Sequence, residues 1–134
     1  MKIYVAAPKQ LFLQAKALAF DLTKAQHTVV SSWLFTTDAP LDEKLSVAEA
    51  TEKAADCLSE IIASDLIVIL LPDTQQIGRL TGGFWVEFGY ALAKKSTCVT
   101  VGPAWNIFEF LPQVTRLDSL EELSVFLEEG GYDE

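Results

Sequence analysis

Residues 65–71 read DLIVILL, and Pro72 stops the run. A strand with one wet face alternates apolar and polar residues, because successive side chains point to opposite sides. Six consecutive apolar residues between an acid and a proline do not alternate. A run this short fits a strand covered on both faces, the kind found inside a parallel sheet. Parallel neighbours need long crossovers, so helices should flank the run on both sides.

Working outward, the flanks supply them. Upstream, residues 2–7 (KIYVAA) form a short apolar run closed by Pro8. Residues 9–26 carry Leu11, Ala15, Leu18, Ala19 and Leu22 at three- and four-residue steps, which predicts a helix. Residues 27–34 (HTVVSSWL) are rich in β-branched side chains and predict a strand. A turn-rich stretch over 36–40 leads to a long helix over 41–64, with Leu45, Ala48, Thr51, Ala55, Leu58 and Ile62 on one side.

Downstream, residues 73–82 (DTQQIGRLTG) are a polar loop, 83–95 a helix, 97–101 a strand, and Gly102-Pro103 a turn. A short helical turn is expected over 106–111 and a last strand over 114–117. Ser119-Leu120-Glu121-Glu122 has capping-box spacing and opens a final helix to about 128, ended by Gly130-Gly131. Strands alternating with helices imply an α/β protein with a parallel sheet covered on both faces. Five strands at this length point to a flavodoxin-like three-layer sandwich of strand order 2-1-3-4-5, one domain over residues 1–134. In such sheets ligands bind beyond the carboxyl ends of the strands, near the switch in strand order. That region holds Ala7-Pro8-Lys9-Gln10, residues 73–83 and residues 102–108.

Composition excludes several functions. A net charge of −9 argues against binding a nucleic-acid polymer, which needs a basic face, but not against a small phosphorylated ligand. His27 is the only histidine, and no nucleophile-elbow sequence accompanies it. It reads as the polar start of the second strand, and no metal or cofactor is expected. No stretch approaches the roughly 18–20 apolar residues that span a bilayer, and no signal-peptide pattern opens the chain, so a cytoplasmic protein without a membrane partner is expected. Cys57 and Cys98 lack metal or redox spacing and should be free thiols.

Within residues 81–93, TGGFWVEFGYALA, Glu87 is one charge among apolar and aromatic side chains. A carboxylate is costly to bury unless it is paired or used. On a helix Glu87 shares a side with Gly83, Phe84, Tyr90 and Ala91. A nearby helix N-terminus favours its charge, aromatic neighbours desolvate it, and Gly82 and Gly83 leave room for a ligand. Such a carboxylate suits attack on an electrophilic sugar carbon. The spacing alone also fits an edge glutamate paired with Arg79, Lys94 or Lys95.

The strand DLIVILLP, a loop, and then GGFWVEFGYALAKKSTCVTVGP resemble the nucleoside 2-deoxyribosyltransferase family, which includes the 2′-deoxynucleoside 5′-monophosphate N-glycosidases. The matching residues are Ala63, Ser64 and Asp65 before the strand, Glu87-Phe88-Gly89-Tyr90-Ala91-Leu92-Ala93 in the helix, and Tyr4 before the proline turn. The resemblance implies an enzyme that cleaves or transfers an N-glycosidic bond of a small-molecule nucleoside or nucleotide. It makes Glu87 the nucleophile, carrying a 2-deoxyribosyl intermediate, and Tyr4 the residue that helps place it. It puts Asn106 near a neighbouring subunit's site, and so implies a homodimer or higher homo-oligomer. Three positions depart from the family pattern: Ala7-Pro8 stands for Gly-Pro, Cys57 for an aspartate, and Thr81 for another aspartate. The N-glycosidase branch has a phosphate-contacting serine at the Thr81 position, so Thr81, with Arg79 as a charge partner, suits a phosphorylated substrate. The missing aspartates also motivate a second expectation, a nucleotide-binding or sensing module without turnover.

Other residues carry two readings each. Asp73, at the carboxyl end of the 65–71 strand, is a candidate second catalytic acid or a turn residue after Pro72. Asp65 starts that strand at its far end and reads as structural. Trp33 and Trp85 are able to stack a base, with a core role favoured for Trp85; Trp105 reads as a ligand or subunit contact. Tyr132 belongs to the tail. Relatives of the same architecture fit less well: no acidic pair follows the first strand as in response regulators, no hydroxyl-rich phosphate loop as in flavodoxins, and no G-x-G-x-x-G.

Overall fold

The computed structural model describes residues 1–35, 46–73 and 82–130. Five parallel strands, β1 (Lys2–Ala6), β2 (Thr28–Val29), β3 (Leu66–Leu70), β4 (Thr97–Val101) and β5 (Val114–Leu117), form one sheet of order β2-β1-β3-β4-β5. Ile3 pairs with Leu66, Leu66 with Thr97, and Cys98 with Val114. All five residues of β3 are buried, as the unbroken apolar run requires of a central strand.

Alternation along the strands sorts the core into two layers. Ile3, Val5, Leu66, Val68, Val99 and Val101 face α1 (Phe12–Lys24) and α4 (Leu120–Glu128), where Ala15, Leu18, Leu22 and Leu123 are buried. Tyr4, Ala6, Ile67, Ile69 and Cys98 face α2 (Val47–Ala63) and α3 (Gly83–Ala93), meeting Ile61, Phe84, Phe88 and Ala91. Burying one such aliphatic or aromatic side chain is worth about 1.5–3 kcal/mol, so both layers hold the sheet.

The second strand is much shorter than residues 27–34. Ser31 Oγ accepts from Val5 N at 2.9 Å, and the Trp33 indole N–H donates to Val5 O at 2.9 Å. Two side chains thus take the β1 groups that a longer β2 would have paired, and the chain turns into a 3-10 turn over Ser32–Leu34. The first helix likewise begins as a 3-10 turn over Lys9–Leu11 behind Pro8, whose ψ of 151° is extended.

In α2 the described helix begins at Val47, where Ser46 and Glu49 form a capping box. Residues 41–45 of the expected helix lie outside the described residues. The inward side of α2 carries Cys57, Leu58 and Ile61, whereas Ala55 and Ile62, expected on that side, are exposed. Ile61 and Ile62 are adjacent, so periodicity alone places the stripe only to within one residue.

Gly102 closes β4 with φ +124°, and a Cβ there would lie 2.7 Å from Leu71 O. Only glycine lets the loop after β4 pass so close to the end of β3. Among the described residues no helix is long and apolar enough to cross a membrane. Cys57 and Cys98 are free thiols.

Candidate active site

Tyr4 lies on the α2/α3 side of β1 and is fully buried. A buried hydroxyl needs a partner. The helix α3 crosses above it with Phe84, Phe88 and Ala91 turned into the core. Glu87 stands at the border of that stripe, half-buried, so its carboxylate reaches inward while its helix face meets solvent. The Tyr4 hydroxyl donates to Glu87 Oε2, joining residues 83 apart in sequence. From the third side, α2 brings Cys57, which packs against the same core layer as Tyr4 and lines the same cleft as Glu87.

Burial dominates the electrostatics of this cluster. It raises the Glu87 carboxyl above its ordinary value of 4.5; the nearby Glu60 carboxylate adds to the rise, while the contacts with Tyr4 and Cys57 oppose it. The expected help from the helix terminus is small, because Glu87 is the fifth residue of α3 and the dipole acts mainly within the first turn. Tyr4 is pushed up by burial and by the Glu87 charge, so its hydroxyl stays protonated and keeps the proton it donates to the carboxylate. Burial also raises the Cys57 thiol to about 11, which keeps it neutral.

The cluster opens onto a cleft of about 410 Å³ just beyond the carboxyl end of β1, lined by Ala7, Lys9, Trp33, Cys57, Gly83 and Glu87 among others. Among the described residues, nothing lies within 4 Å of a Cβ built on Gly82 or Gly83. A desolvated carboxylate, held by the neutral Tyr4 hydroxyl and facing a mostly apolar cleft with Lys9 on its rim, is suited to nucleophilic attack on an uncharged electrophilic carbon.

The structure therefore brings together Glu87, Tyr4, Ala7 and Gly83. Gly82 is the adjoining N-cap of α3, and Pro8 is buried just behind Ala7. Arg79 and Thr81 lie outside the described residues, as does Tyr132. Asp73 is not in this group. It lines a separate cleft of about 330 Å³ with Gln14, Gly102, Asp118 and Ser119, between α1 and α4. After Pro72 the chain leaves β3 toward the α1/α4 side, and this takes the expected second acid away from Glu87.

Asn106 is also elsewhere. It caps a 3-10 turn over Ile107–Phe110, its side chain accepting from Phe108 N at 2.9 Å. It lines an apolar groove of about 650 Å³ on the outer side of α3 with Trp85, Leu92, Phe108 and Leu111. Trp105 is tied inward, its indole N–H donating to Pro72 O at 3.1 Å. Asp65 is structural as expected, accepting from Lys2 N at 2.8 Å.

Sequence reasoning placed Lys9 in the ligand region without giving it a role, did not single out Glu60 or Ala54, and met Cys57 only as a departure from a pattern. The signal for Cys57 was its place one turn before Ile61, on the buried side of α2. Among the described residues no group of three or more His, Cys, Asp and Glu side chains is placed to hold a metal ion.

Neither a protein-family model nor a curated protein sequence matches the chain. Solved structures do. A CMP N-glycosidase from Clostridium botulinum, BcmB, superposes with a TM-score of 0.62 at 14% identity, over 93% of this chain and 99% of that one. A conserved protein from Enterococcus faecalis V583 gives 0.56 at 19% identity, over 93% and 94%. Likeness at these identities shows a shared fold.

Proposed function

We propose that the chain is an enzyme that cleaves the N-glycosidic bond of a nucleoside or nucleotide, with Glu87 as its nucleophile. The observation that carries this reading is the Glu87 carboxylate, held by the buried Tyr4 hydroxyl at the floor of an open cleft beyond the strand ends. The shared fold with a protein titled a CMP N-glycosidase supports the reaction class.

In the first step a Glu87 oxygen attacks C1′ of the sugar. The C1′–N bond breaks, and its electron pair leaves with the base, which takes up a proton. Tyr4 keeps its own proton and holds the carboxylate in place. In the second step water, or the nitrogen of another base, attacks C1′ from the vacated side, loses a proton and releases Glu87. Two displacements at C1′ retain its configuration. Lys9, on the cleft rim, suits a substrate with an anionic group.

Chromatographic assay of 2′-deoxynucleosides, their 5′-monophosphates and CMP, each with and without a second free base, tests this beside Glu87→Ala. Base released without an acceptor marks a hydrolase; a new nucleoside formed only with the acceptor marks a transferase. Turnover retained in Glu87→Ala would sink the reading. One observation favours a binding module instead: among the described residues lining the cleft, Glu87 is the only carboxylate. That reading expects thermal stabilisation by a nucleotide with no base release from any substrate.

A further inference from the structure

We propose that Trp33 is the residue that receives the base, and that the cleft selects a base by its ring area rather than by its hydrogen-bonding edge. The proposal rests on the glycosidic reading above for the class of substrate.

Trp33 and Trp85 both read as able to stack a base, and the structure separates them. Trp85 lines the apolar groove on the outer side of α3. Trp33 lines the cleft that holds Glu87. Its indole N–H donates to Val5 O at 2.9 Å, and the Phe12 ring lies 5.8 Å from its own, tilted by 53°. The turn that carries it is fixed as well. Ser31 Oγ accepts from Val5 N at 2.9 Å, and Glu60 Oε1 accepts from Ser32 N at 3.2 Å. The 3-10 turn Ser32–Leu34 is thereby tied to β1 on one side and to α2 on the other. A ring held in this way loses little freedom when a ligand stacks on it.

The polar inventory of the cleft decides what it reads. Among its described lining residues, Lys9, Cys57 and Glu87 carry the hydrogen-bonding side chains besides Trp33, whose one donor is taken by Val5 O. In the glycosidic reading Glu87 meets C1′ and Lys9 suits an anionic group. Trp33, Ala54 and Leu58 are then left for the base, with the weakly bonding thiol of Cys57. Trp33, Cys57 and Leu58 pack against one core layer, so this part of the wall is continuous. The edge of a base is lined with donors and acceptors, and these side chains offer them no strong partner. Every base has a ring surface on which an indole stacks. Stacking grows with contact area. A purine should therefore bind more tightly than a pyrimidine, and two purines with different edges should bind alike.

Isothermal titration calorimetry on the Glu87→Gln chain, which holds a substrate without turning it over, tests this. The probes are the 5′-monophosphates of deoxyadenosine, deoxyinosine and deoxycytidine, their ribonucleotide counterparts, and base-free 2-deoxyribose 5-phosphate. The two purine nucleotides should agree within about threefold, the cytosine nucleotide should be weaker, and the sugar phosphate weakest. Trp33→Leu should weaken the purine nucleotides roughly tenfold and leave the sugar phosphate unchanged. Trp33→Phe loses the same N–H but keeps an aromatic ring, so it should retain most of the affinity. Trp85→Phe should leave every affinity as it is. Leucine and phenylalanine variants that bind alike overturn the proposal. So does a preference of about tenfold or more between the two purines, an equal loss of sugar phosphate and nucleotide in Trp33→Leu, or no nucleotide binding at all. If one of these occurs while the chain with Glu87 intact releases base, the glycosidic reading stands and the stacking role falls. If the affinities follow the expected order but no nucleotide releases its base, Trp33 stacks the base and the glycosidic reading falls.

Discussion

Two glutamates sit low in this fold, 22 positions apart, and they are employed in opposite ways. Glu109 is fully buried. Its Oε2 accepts from Trp105 N at 2.6 Å and from Asn106 N at 2.9 Å, so it closes the loop between β4 and β5 onto itself. Glu87 is half-buried, accepts from the Tyr4 hydroxyl on a distant strand, and keeps an open cleft in front of it. A carboxylate that satisfies its own backbone within four residues is a structural part. A carboxylate whose donor comes from a distant segment, and which still faces open space, is available for chemistry. Burial alone does not distinguish them, since Glu109 is the more buried of the two.

The comparison breaks most visibly with alanine. Glu87→Ala is expected to lower kcat by at least roughly 10³-fold while thermal unfolding stays within a few degrees of wild type. Glu109→Ala should do the reverse, losing about 2–3 kcal/mol of stability as two backbone N–H groups lose their acceptor, with kcat per folded molecule nearly kept. Calorimetry beside the base-release assay checks both. A Glu109→Ala protein that folds well but is dead would place Glu109 in the chemistry and erase the contrast.

Tyr4→Phe sharpens it. The ring stays in the core and only the donor is lost, so a drop in kcat/KM of roughly 10- to 100-fold is expected, with the acid limb moved to higher pH. An unchanged pH profile would show that Tyr4 packs without tuning Glu87.

The stability of the fold should report the same cluster. In the folded state the Glu87 carboxyl lies above its ordinary value of 4.5, because burial disfavours the charge. The ionised form therefore weakens folding: the cost is absent below about pH 4.5 and complete once pH exceeds the folded-state value. Glu87→Gln should then raise Tm at pH 7, and the gain should fade as the pH is lowered to 4. A gain that is the same at both pH values would deny the raised carboxyl.

The smallest effect expected is at Asn106. Removing its cap in Asn106→Ala should cost about 1 kcal/mol, and Asn106→Ser should recover most of it, as read from denaturant midpoints. A loss of turnover larger than the loss of folded protein would instead give Asn106 a part in a site, as the resemblance implies.

Much of this was legible in the chain. DLIVILL reads as a central strand, and strands alternating with helices were enough to expect a sheet covered on both faces. The spacing Asn106-Ile107-Phe108-Glu109 is that of a capping box, and it places Glu109 at the third position of the turn. The length of β2 was not legible: its residues are good strand formers, but Ser31 and Trp33 take the β1 groups that a longer strand needs.

Local pattern by itself determined that the chain folds as a parallel α/β sheet and that Glu87 rides a helix near the carboxyl ends of the strands. Periodicity encodes which side of an element is apolar, and that much is a property of neighbouring residues. Only the tertiary structure decided that Cys57 lines one cleft with Glu87, and that Asp73 lines another. Those outcomes depend on how α2 and α3 are rotated about their axes and on which side of the sheet the chain leaves β3. Both are set by packing between segments tens of residues apart, where one position of rotation carries a side chain into the cleft or out to solvent.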